Sequence, residues 1–363
     1  MKRHEMTLYG RMLPTARPSG MWRGVVMSLV VAGLTGCSII DEDLSDCVEE
    51  EKEEVTYELT LVTNFTTEIE TKLNPETDKD IAEVLREHLS RIFTDFAHDV
   101  DLSFYDTQGD SVRLHHDQHI MDANQATYTL TLPRHNYMHL AVANILDNQL
   151  VNLADDGRCH PSQLRQTERD TIDSHTTGLF TARQPMNVLE GVNQKFEVRL
   201  YMANCAAALL LDPRNSQQMD NIRVYSTGFA TGFNICDSTF QYVQEPPLVR
   251  TATLVGKESG QRCYCSVNFP SKRETAPTRT IIETLEPFLA QPSEEALWEF
   301  RVYVPQDDGT ITETILRIKE PLSAGQLKII KCWIGEHGAV ITKNSEVSTS
   351  VTLDWKEGLH IET

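Results

Sequence analysis

Alternation of apolar and polar residues recurs along this chain and restricts much of it to half-buried β-strands. Between positions 55 and 61 every second residue is apolar, and the residues between them are threonine or glutamate. A period of two places the four apolar side chains on one face of an extended strand. The pattern returns in four later segments, residues 128–132, 196–202, 298–304 and 347–355. Each predicts a strand with one face in the core and the other in water.

Two segments depart from this alternation. Residues 138–145 are almost wholly apolar, which predicts a central strand covered on both faces. Residues 81–96 carry apolar side chains three and four positions apart, behind Thr77 and Asp78. That spacing predicts an amphipathic α-helix with one face packed on the first sheet.

Turn residues separate the predicted strands and suggest how they pair. Gln-Gly-Asp at 108–110 and Asp-Asp-Gly at 307–309 join short strands, which favours antiparallel sandwiches over a parallel sheet covered by helices. The long segment 196–211 loses its alternation at 203–205. We therefore predict a mostly β chain with two tandem antiparallel β-sandwich domains, residues 55–203 and 204–363, and one amphipathic helix in the first.

The amino terminus has the layout of a bacterial lipoprotein export signal. Basic residues that include Arg11, Arg17 and Arg23 precede the uncharged apolar run 25–34. This run is too short to span a bilayer but has the length of a signal-peptide core. The run ends in Leu-Thr-Gly-Cys at 34–37. We predict that residues 1–36 are a signal peptide and that Cys37 carries the lipid. The alternative, a core strand that ends in a buried cysteine, leaves the basic flank unexplained.

An acidic segment follows the cysteine. Residues 41–54 hold nine carboxylates against one lysine and show no apolar periodicity, so we predict a solvated tether over residues 37–54. The leader holds five of the 33 basic and one of the 53 acidic residues, which leaves 28 and 52 in the mature chain, a net charge of −24. This charge disfavours nucleic acids and anionic lipid surfaces as partners. Attachment to the membrane is therefore assigned to the lipid.

Seven cysteines remain besides Cys37. They show no Cys-x-x-Cys motif and no spacing typical of a zinc finger, so we predict no structural metal. Disulfides are permitted in an exported protein. Cys47 and Cys159 form the preferred pair because both fall in the first predicted domain, although the sequence leaves the connectivity open, including a fully reduced set. Cys263 and Cys265 share a face of a predicted strand and are interpreted as small core or edge residues.

The sequence offers few candidates for metal-binding or catalytic residues. On a strand, one face would carry His115, Asp117 and His119, and these side chains could bind a divalent metal. A polar edge of a hairpin explains the same residues. The fourth ligand and the supporting partners that a metal site needs are not visible in the sequence. The local signatures of hydrolases, zincins and nucleotide-binding enzymes are missing. We therefore predict no catalytic residue, no metal and no cofactor.

The segment 37–47, Cys-Ser-Ile-Ile-Asp-Glu-Asp-Leu-Ser-Asp-Cys, precedes the strand at 55. Together with residues 140–144, the 196–211 junction and Thr-Leu-Asp-Trp at 352–355, it resembles the fimbrillin-A-associated anchor proteins of Bacteroidales. The resemblance implies two transthyretin-like β-sandwiches held in the outer membrane by the lipid. It also implies a place at the base of a fimbrium, control of its length, fimbrial subunits as partners and no catalytic residues. The acidic residues after Cys37 resemble the signal that exports lipoproteins to the cell surface.

The resemblance also bears on assembly. Subunits of such polymers join by strand addition, in which an open sheet edge receives an extended segment of a neighbour. Major fimbrillins lose an amino-terminal strand by proteolysis at a basic residue, whereas here Lys52 is the sole basic residue of the tether.

We therefore predict a non-enzymatic anchor or minor subunit of a fimbria-like polymer. A surface glycan-binding lipoprotein of a polysaccharide-uptake system is the main alternative, against which the presence of only four tryptophans in the chain argues. A lipoprotein hydrolase is a third possibility.

Overall fold

The alternating segments form β-strands in the computed structural model of the protein. It describes residues 51–352 except 63–68, 70–72, 95–96, 121–126, 192, 213–220, 272–295 and 345–346. Within these residues the chain is mostly β, with a single α-helix and a short 3₁₀ turn at Glu336–Gly338. The mostly β fold class predicted from the sequence is thus confirmed.

Ten strands and the helix precede residue 203. They are β1 (Lys52–Val62), α1 (Lys79–Ile92), β2 (Asp99–Asp106), β3 (Arg113–Ile120), β4 (Thr127–Pro133), β5 (Asn136–Ala143), β6 (Val151–Ala154), β7 (Gln163–Gln166), β8 (Thr171–Asp173), β9 (Phe180–Asn187) and β10 (Gln194–Met202). Twelve strands follow. They are β11 (Cys205–Asp212), β12 (Arg223–Thr227), β13 (Gly232–Asn234), β14 (Thr239–Gln241), β15 (Leu248–Arg250), β16 (Ala252–Val255), β17 (Arg262–Asn268), β18 (Trp298–Pro305), β19 (Ile311–Ile318), β20 (Leu327–Ile334), β21 (Val340–Thr342) and β22 (Val347–Thr352).

The first sandwich is one seven-stranded sheet folded onto itself. Its order is β3-β2-β5-β9-β10-β1-β4, and β9 pairs with β10 at two positions only. In a flat sheet β1 and β5 would lie about 14 Å apart, yet Tyr57 Oη of β1 lies 2.5 Å from His139 Nε2 of β5. The edge strands also meet, because His119 of β3 stacks on Tyr128 of β4 with ring centroids 5.2 Å apart. The two halves of the sheet therefore face each other.

His139 lies at the centre of this first core. Its Nδ1 donates to the carbonyl oxygen of Ser103 at 3.0 Å, which leaves Nε2 to accept the hydrogen bond of the Tyr57 hydroxyl. The ring also stacks on Phe104 with centroids 4.3 Å apart. Burial lowers the pKa of His139 to about 4, against the smaller opposing effect of the hydrogen bond to Ser103. The imidazole is thus a neutral, hydrogen-bonded core residue.

The second sandwich packs a five-stranded sheet, β16-β17-β11-β20-β21, on a six-stranded sheet, β22-β19-β18-β12-β15-β8. Their shared core includes Leu209, Trp298, Phe300 and Ile330. The opposite face of the five-stranded sheet belongs to the first core through residues such as Ala208. The central strand β11 is therefore buried on both faces, which explains its continuous apolar sequence.

A small four-stranded sheet, β14-β13-β7-β6, combines strands from both halves of the chain. It covers the outer face of β2 and β5, where Tyr105, Leu140 and Val142 pack against Leu164 and Phe233. The strand β8 likewise joins the six-stranded sheet through parallel pairing with β15. The predicted boundary at 203/204 lies between β10 and β11, and the division into domains 55–203 and 204–363 stays a prediction.

The helix α1 begins behind Asp78, as the sequence predicts, but it packs differently. It buries Ile81, Leu85, Leu89 and Ile92, and the first core that contains them includes residues of β17 such as Cys263. The Asp80 carboxylate accepts hydrogen bonds from the backbone amides of residues 257–259 and from the Ser259 hydroxyl, all at 2.9–3.1 Å. The prediction that α1 packs on the first sheet was therefore incomplete, because α1 also covers the five-stranded sheet.

Sequence alternation located the strands but not their directions. The segments predicted at 55–61, 128–132, 196–202 and 298–304 lie within β1, β4, β10 and β18, and β5 is central, as predicted. Most pairs are antiparallel, but β1–β10, β11–β20 and β15–β8 are parallel. The pattern of side chains on one strand does not specify the direction of its neighbour. The last predicted strand corresponds to β22, and its residues 353–355 lie outside the described residues.

We predict that Asp80→Ala loosens the β16–β17 turn without unfolding the chain. The substitution removes the acceptor for three backbone amides and one hydroxyl, so hydrogen exchange at residues 257–259 should accelerate. Glu83→Ala, at an exposed position of the same helix, is the control. Equal exchange in the two variants would contradict the role given to Asp80.

We also predict that His139 makes stability fall below neutral pH. Histidine titrates near 6.5 in an unfolded chain, whereas the folded pKa of His139 is about 4. The unfolded state therefore binds more protons between these values, so lowering the pH through this window reduces stability by up to about 1.4 kcal/mol per pH unit for this residue. His139→Gln should flatten the curve of unfolding free energy, measured in urea, across that window. A variant that unfolds below pH 6 as steeply as the wild type would refute this.

Candidate functional site

The candidate site is the strand that follows the predicted tether. This strand is β1, which lies between two neighbours. It pairs in parallel with β10 from Val55 to Val62 and antiparallel with β4 from Lys52 to Glu58. The alternating residues Val55, Tyr57 and Leu59 are buried in the first core. The chain therefore leaves the sandwich from an interior strand.

An arginine holds the amino-terminal end of β1. Arg134 Nε donates to Glu53 Oε1 at 2.7 Å, and the guanidinium also pairs with Glu51. The carboxylate of Glu190 lies 3.5 Å from the same side chain. The hydrogen bond from Arg134, followed by one from the backbone of Gly191, lowers the pKa of Glu53. The start of β1 is thus a network of one cation and three carboxylates.

This network explains where the tether ends. The sequence predicts a solvated tether to residue 54, whereas β1 begins at Lys52. The acidic residues 51 and 53 could not reveal this, because the arginine that pairs with them lies about 80 positions later. Cys37 and the rest of the predicted tether lie outside the described residues. Among the residues that the structure describes, no helix is both long and apolar enough to cross a membrane.

The edge strand β3 exposes a row of side chains. On its outward face, Leu114 is 41% and Ile120 is 82% exposed. At its start, the Arg113 amide donates to the Gly157 carbonyl oxygen at 2.7 Å, so the edge is covered there by a loop. The opposite edge, β4, exposes threonines at 127, 129 and 131. The outward face of β3 thus carries two apolar side chains with His116 and Gln118 between them, whereas the outward face of β4 carries threonines.

The histidine-rich segment belongs to β3. His115, Asp117 and His119 do share one face, half-buried, as the sequence predicts. His115 Nε2 lies 2.6 Å from Asp117 Oδ2, whereas His119 stacks on Tyr128. Phe104 packs beside His115, with ring centroids 5.7 Å apart. These contacts are those of a polar sheet edge.

The described cysteines form one disulfide, and it differs from the predicted pair. Cys159 is bonded to Cys236, with Cα atoms 5.7 Å apart, within the range of disulfides. The prediction that Cys159 pairs with Cys47, which lies outside the described residues, was therefore wrong. It assumed that partners belong to one half of the chain, whereas the four-stranded sheet brings residues 159 and 236 together.

The remaining described cysteines are buried thiols. Cys205, Cys263, Cys265 and Cys332 are all free. Burial raises the pKa of Cys265 to about 12, so this thiol stays protonated. The interpretation of Cys263 and Cys265 as small core residues is confirmed.

Comparison with known proteins identifies the family. The family model of fimbrillin-A associated anchor proteins Mfa1 and Mfa2 matches residues 57–260, more than half of the chain. No match was found among curated proteins. The matched region begins within β1 and ends at the turn after β16, so it includes the sandwich from which the tether leaves.

Solved structures share the fold at low sequence identity. A protein from Bacteroides thetaiotaomicron VPI-5482, provisionally named as polysaccharide-binding, has a TM-score of 0.50 and 10% identity, covering 81% of this chain and 99% of that one. The fimbrial anchor protein Mfa2 from Porphyromonas gingivalis has a TM-score of 0.45 and 11% identity, covering 84% and 99%. A Bacteroides ovatus protein, provisionally named an adhesin, has a TM-score of 0.48 and 12% identity, covering 85% and 97%.

Because the family model spans more than half of the sequence, this chain belongs to the fimbrillin-A associated anchor proteins, a family of cell-surface fimbriae.

Proposed function

We propose that the protein is a non-enzymatic anchor or minor subunit of a fimbria-like polymer, held in the outer membrane by a lipid on Cys37 and facing outward. The observation that carries this proposal is the position of β1 between β10 and β4. Cys37 precedes β1 by 15 residues, a tether of at most about 50 Å. A polymer attached to the sandwich would therefore stay close to the membrane.

The interior position of β1 suits a load-bearing attachment. A strand at the edge of a sheet can be peeled away one hydrogen bond at a time, because it has a single neighbour. Pulling on the tether of β1 instead loads two ladders together, and the parallel ladder with β10 extends to Val62. The burial of Tyr57, which is bonded to His139 across the core, adds a third restraint. The tether would thus pull on a strand that is held by two neighbours.

The same position favours retention of the tether. Lys52 is the sole basic residue between Cys37 and Val55, and it is the first residue of β1, opposite Pro133 of β4. A protease that cleaves after basic residues needs an extended, separated substrate. Its access to this bond would require β1 to leave the sheet. We infer that the strand and its lipid remain joined to the protein.

We propose that a neighbouring subunit adds a strand to the β3 edge. Between Leu114 and Ile120 this edge has no further strand beside it among the described residues. Strand addition uses free backbone groups and apolar side-chain contacts, and the outward face of β3 offers Leu114 and Ile120 at its two ends, with His116 and Gln118 between them. The β4 edge offers threonines instead.

Glycan binding is the second candidate, favoured by the provisional name of the protein from B. thetaiotaomicron. Sugars stack on exposed aromatic rings. Among the large hydrophobic side chains exposed in the described residues, one is aromatic, Tyr242, and its hydroxyl is bonded to the Ser271 carbonyl oxygen. Trp298 is buried. Trp333 is half-buried, and Lys343 Nζ lies over its ring at 5.7 Å from the centroid. Tyr242 is therefore the one widely exposed aromatic ring in the described residues, and we rank the anchor role first.

We predict that removing the lipid releases the protein and its filaments. The leader is replaced by an ordinary cleavable secretion signal and Cys37 by alanine, so that export continues without acylation. The chain should then fractionate with soluble proteins, and fimbriae should appear in the medium instead of on cells by electron microscopy. A deletion strain should lose cell-bound filaments in the same way. Unchanged number, length and retention of fimbriae in both strains would remove the anchor proposal.

We predict that Leu114→Glu with Ile120→Glu weakens assembly while leaving the lipid and the fold intact. Two carboxylates on the outward face of β3 would remove the apolar contacts that an added strand needs. Val255→Glu, at an exposed position of the β16 edge, is the matched control. Fewer fimbriae per cell and less subunit co-purified with the double variant are expected. Normal fimbriation in the double variant would exclude β3 as the assembly edge.

A further inference from the structure

Two loops of the four-stranded sheet bring four metal-binding side chains together. Cys159 and His160 lie before β7, and Cys236 and Asp237 lie after β13. His160 Nδ1 is 3.5 Å from Asp237 Oδ1 and 4.0 Å from Cys236 Sγ. His160 and Asp237 are exposed, so solvent and ions reach this group, which we call the Cys-His-Asp cluster.

Hydrogen bonds hold the two loops together independently of the disulfide. The strands β7 and β13 pair directly, and the Ile235 amide donates to the Ser162 carbonyl oxygen at 3.0 Å. The Asn234 side chain joins both loops, because its Nδ2 donates to the His160 carbonyl oxygen at 2.7 Å and its Oδ1 accepts from the Asp237 amide at 3.0 Å. The cluster should therefore keep its shape when the sulfur–sulfur bond is broken.

Two thiolates, an imidazole and a carboxylate are ligand types that zinc accepts in a tetrahedral site. The ligand atoms of His160, Cys236 and Asp237 already lie within 4.8 Å of one another. Small adjustments of side-chain torsions would bring them to the zinc–ligand distances of about 2.0–2.3 Å. While Cys159 and Cys236 are bonded to each other, neither offers a thiolate.

We propose that the Cys-His-Asp cluster is a redox-gated zinc site, which is closed as a disulfide and binds Zn²⁺ when Cys159 and Cys236 are reduced. A dithiol reductant supplies two electrons and two protons, breaks the sulfur–sulfur bond and itself becomes a disulfide. Zn²⁺ then displaces the two thiol protons to solvent and is bound by both sulfurs, His160 Nδ1 and an Asp237 oxygen. The two loops thus remain cross-linked in either redox state.

The test measures the binding of Zn²⁺, without any other ligand, to the full chain. Cys37 and Cys47 are replaced by alanine, so that the remaining cysteines outside the cluster are the four buried thiols. Oxidised chain and chain reduced with a phosphine are incubated with Zn²⁺ and desalted. The metal is measured by elemental analysis, and the affinity by competition with a chromogenic chelator. Alkylation of Cys159 and Cys236, followed by mass spectrometry, reports which thiols the metal protects. Circular dichroism of the reduced, metal-free chain reports the fold.

We expect one zinc on the reduced chain, none on the oxidised chain, and protection of both cysteines. His160→Ala and Asp237→Ala should each weaken zinc binding by at least about tenfold, since even indirect partners of a ligand contribute that much. His135→Ala, which removes a histidine paired with Asp106, should leave the affinity unchanged. The proposal is overturned if oxidised chain binds equally, if reduced chain takes up no zinc, or if both cluster variants bind normally. The proposal is also overturned if the chain unfolds on reduction and zinc does not restore its fold.

Discussion

The first sandwich depends on the backbone ladders of β1. In the described part of the chain, β4 has no sheet neighbour other than β1, and β10 is otherwise joined to β9 at two positions. Without β1 the half-sheet opposite β5 would therefore lose its middle strand, and the partner of His139 would be lost with it. A strand at the beginning of the folded chain thus holds together elements that follow it by up to about 140 residues. The predicted tether and the first core therefore depend on the same strand.

The second half repeats the same hydrogen-bonding arrangement with different side chains. Its first strand, β11, lies between an antiparallel and a parallel neighbour, β17 and β20, as β1 lies between β4 and β10. The sequences differ because their surroundings differ. One face of β1 packs in the first core while residues such as Thr60 are exposed, whereas β11 has the first core on one face and the six-stranded sheet on the other. A repeat of backbone pairing therefore leaves no repeat in the sequence.

Local sequence patterns predicted the strands and the helix. The features that the sequence did not predict all depend on contacts between residues far apart in the chain. Alternation located β1, β4, β10 and β18, and the helical spacing after Asp78 located α1, because both signals depend on neighbours within a few residues. The start of β1 was missed because Arg134 neutralises Glu51 and Glu53 from far along the chain. The pairing of Cys159 with Cys236 and the bond between Tyr57 and His139 likewise join distant positions. For the candidate site, the lipid on Cys37 stays a prediction. The sequence predicted the strand that follows the acidic segment, but not the interior position of that strand.

The mixed four-stranded sheet has a consequence for biosynthesis. A chain that crosses a membrane amino end first delivers β7 and β8 well before β13 and β15, their partners in the second half. Among the described residues β8 has no other sheet partner and β7 has only β6, so both sheets stay incomplete until about 70 further residues have emerged. Helix α1 waits in the same way for the β16–β17 turn that binds Asp80. The first half of the chain therefore completes its folding only after these later segments are available, and its resistance to proteases should rise at that late stage.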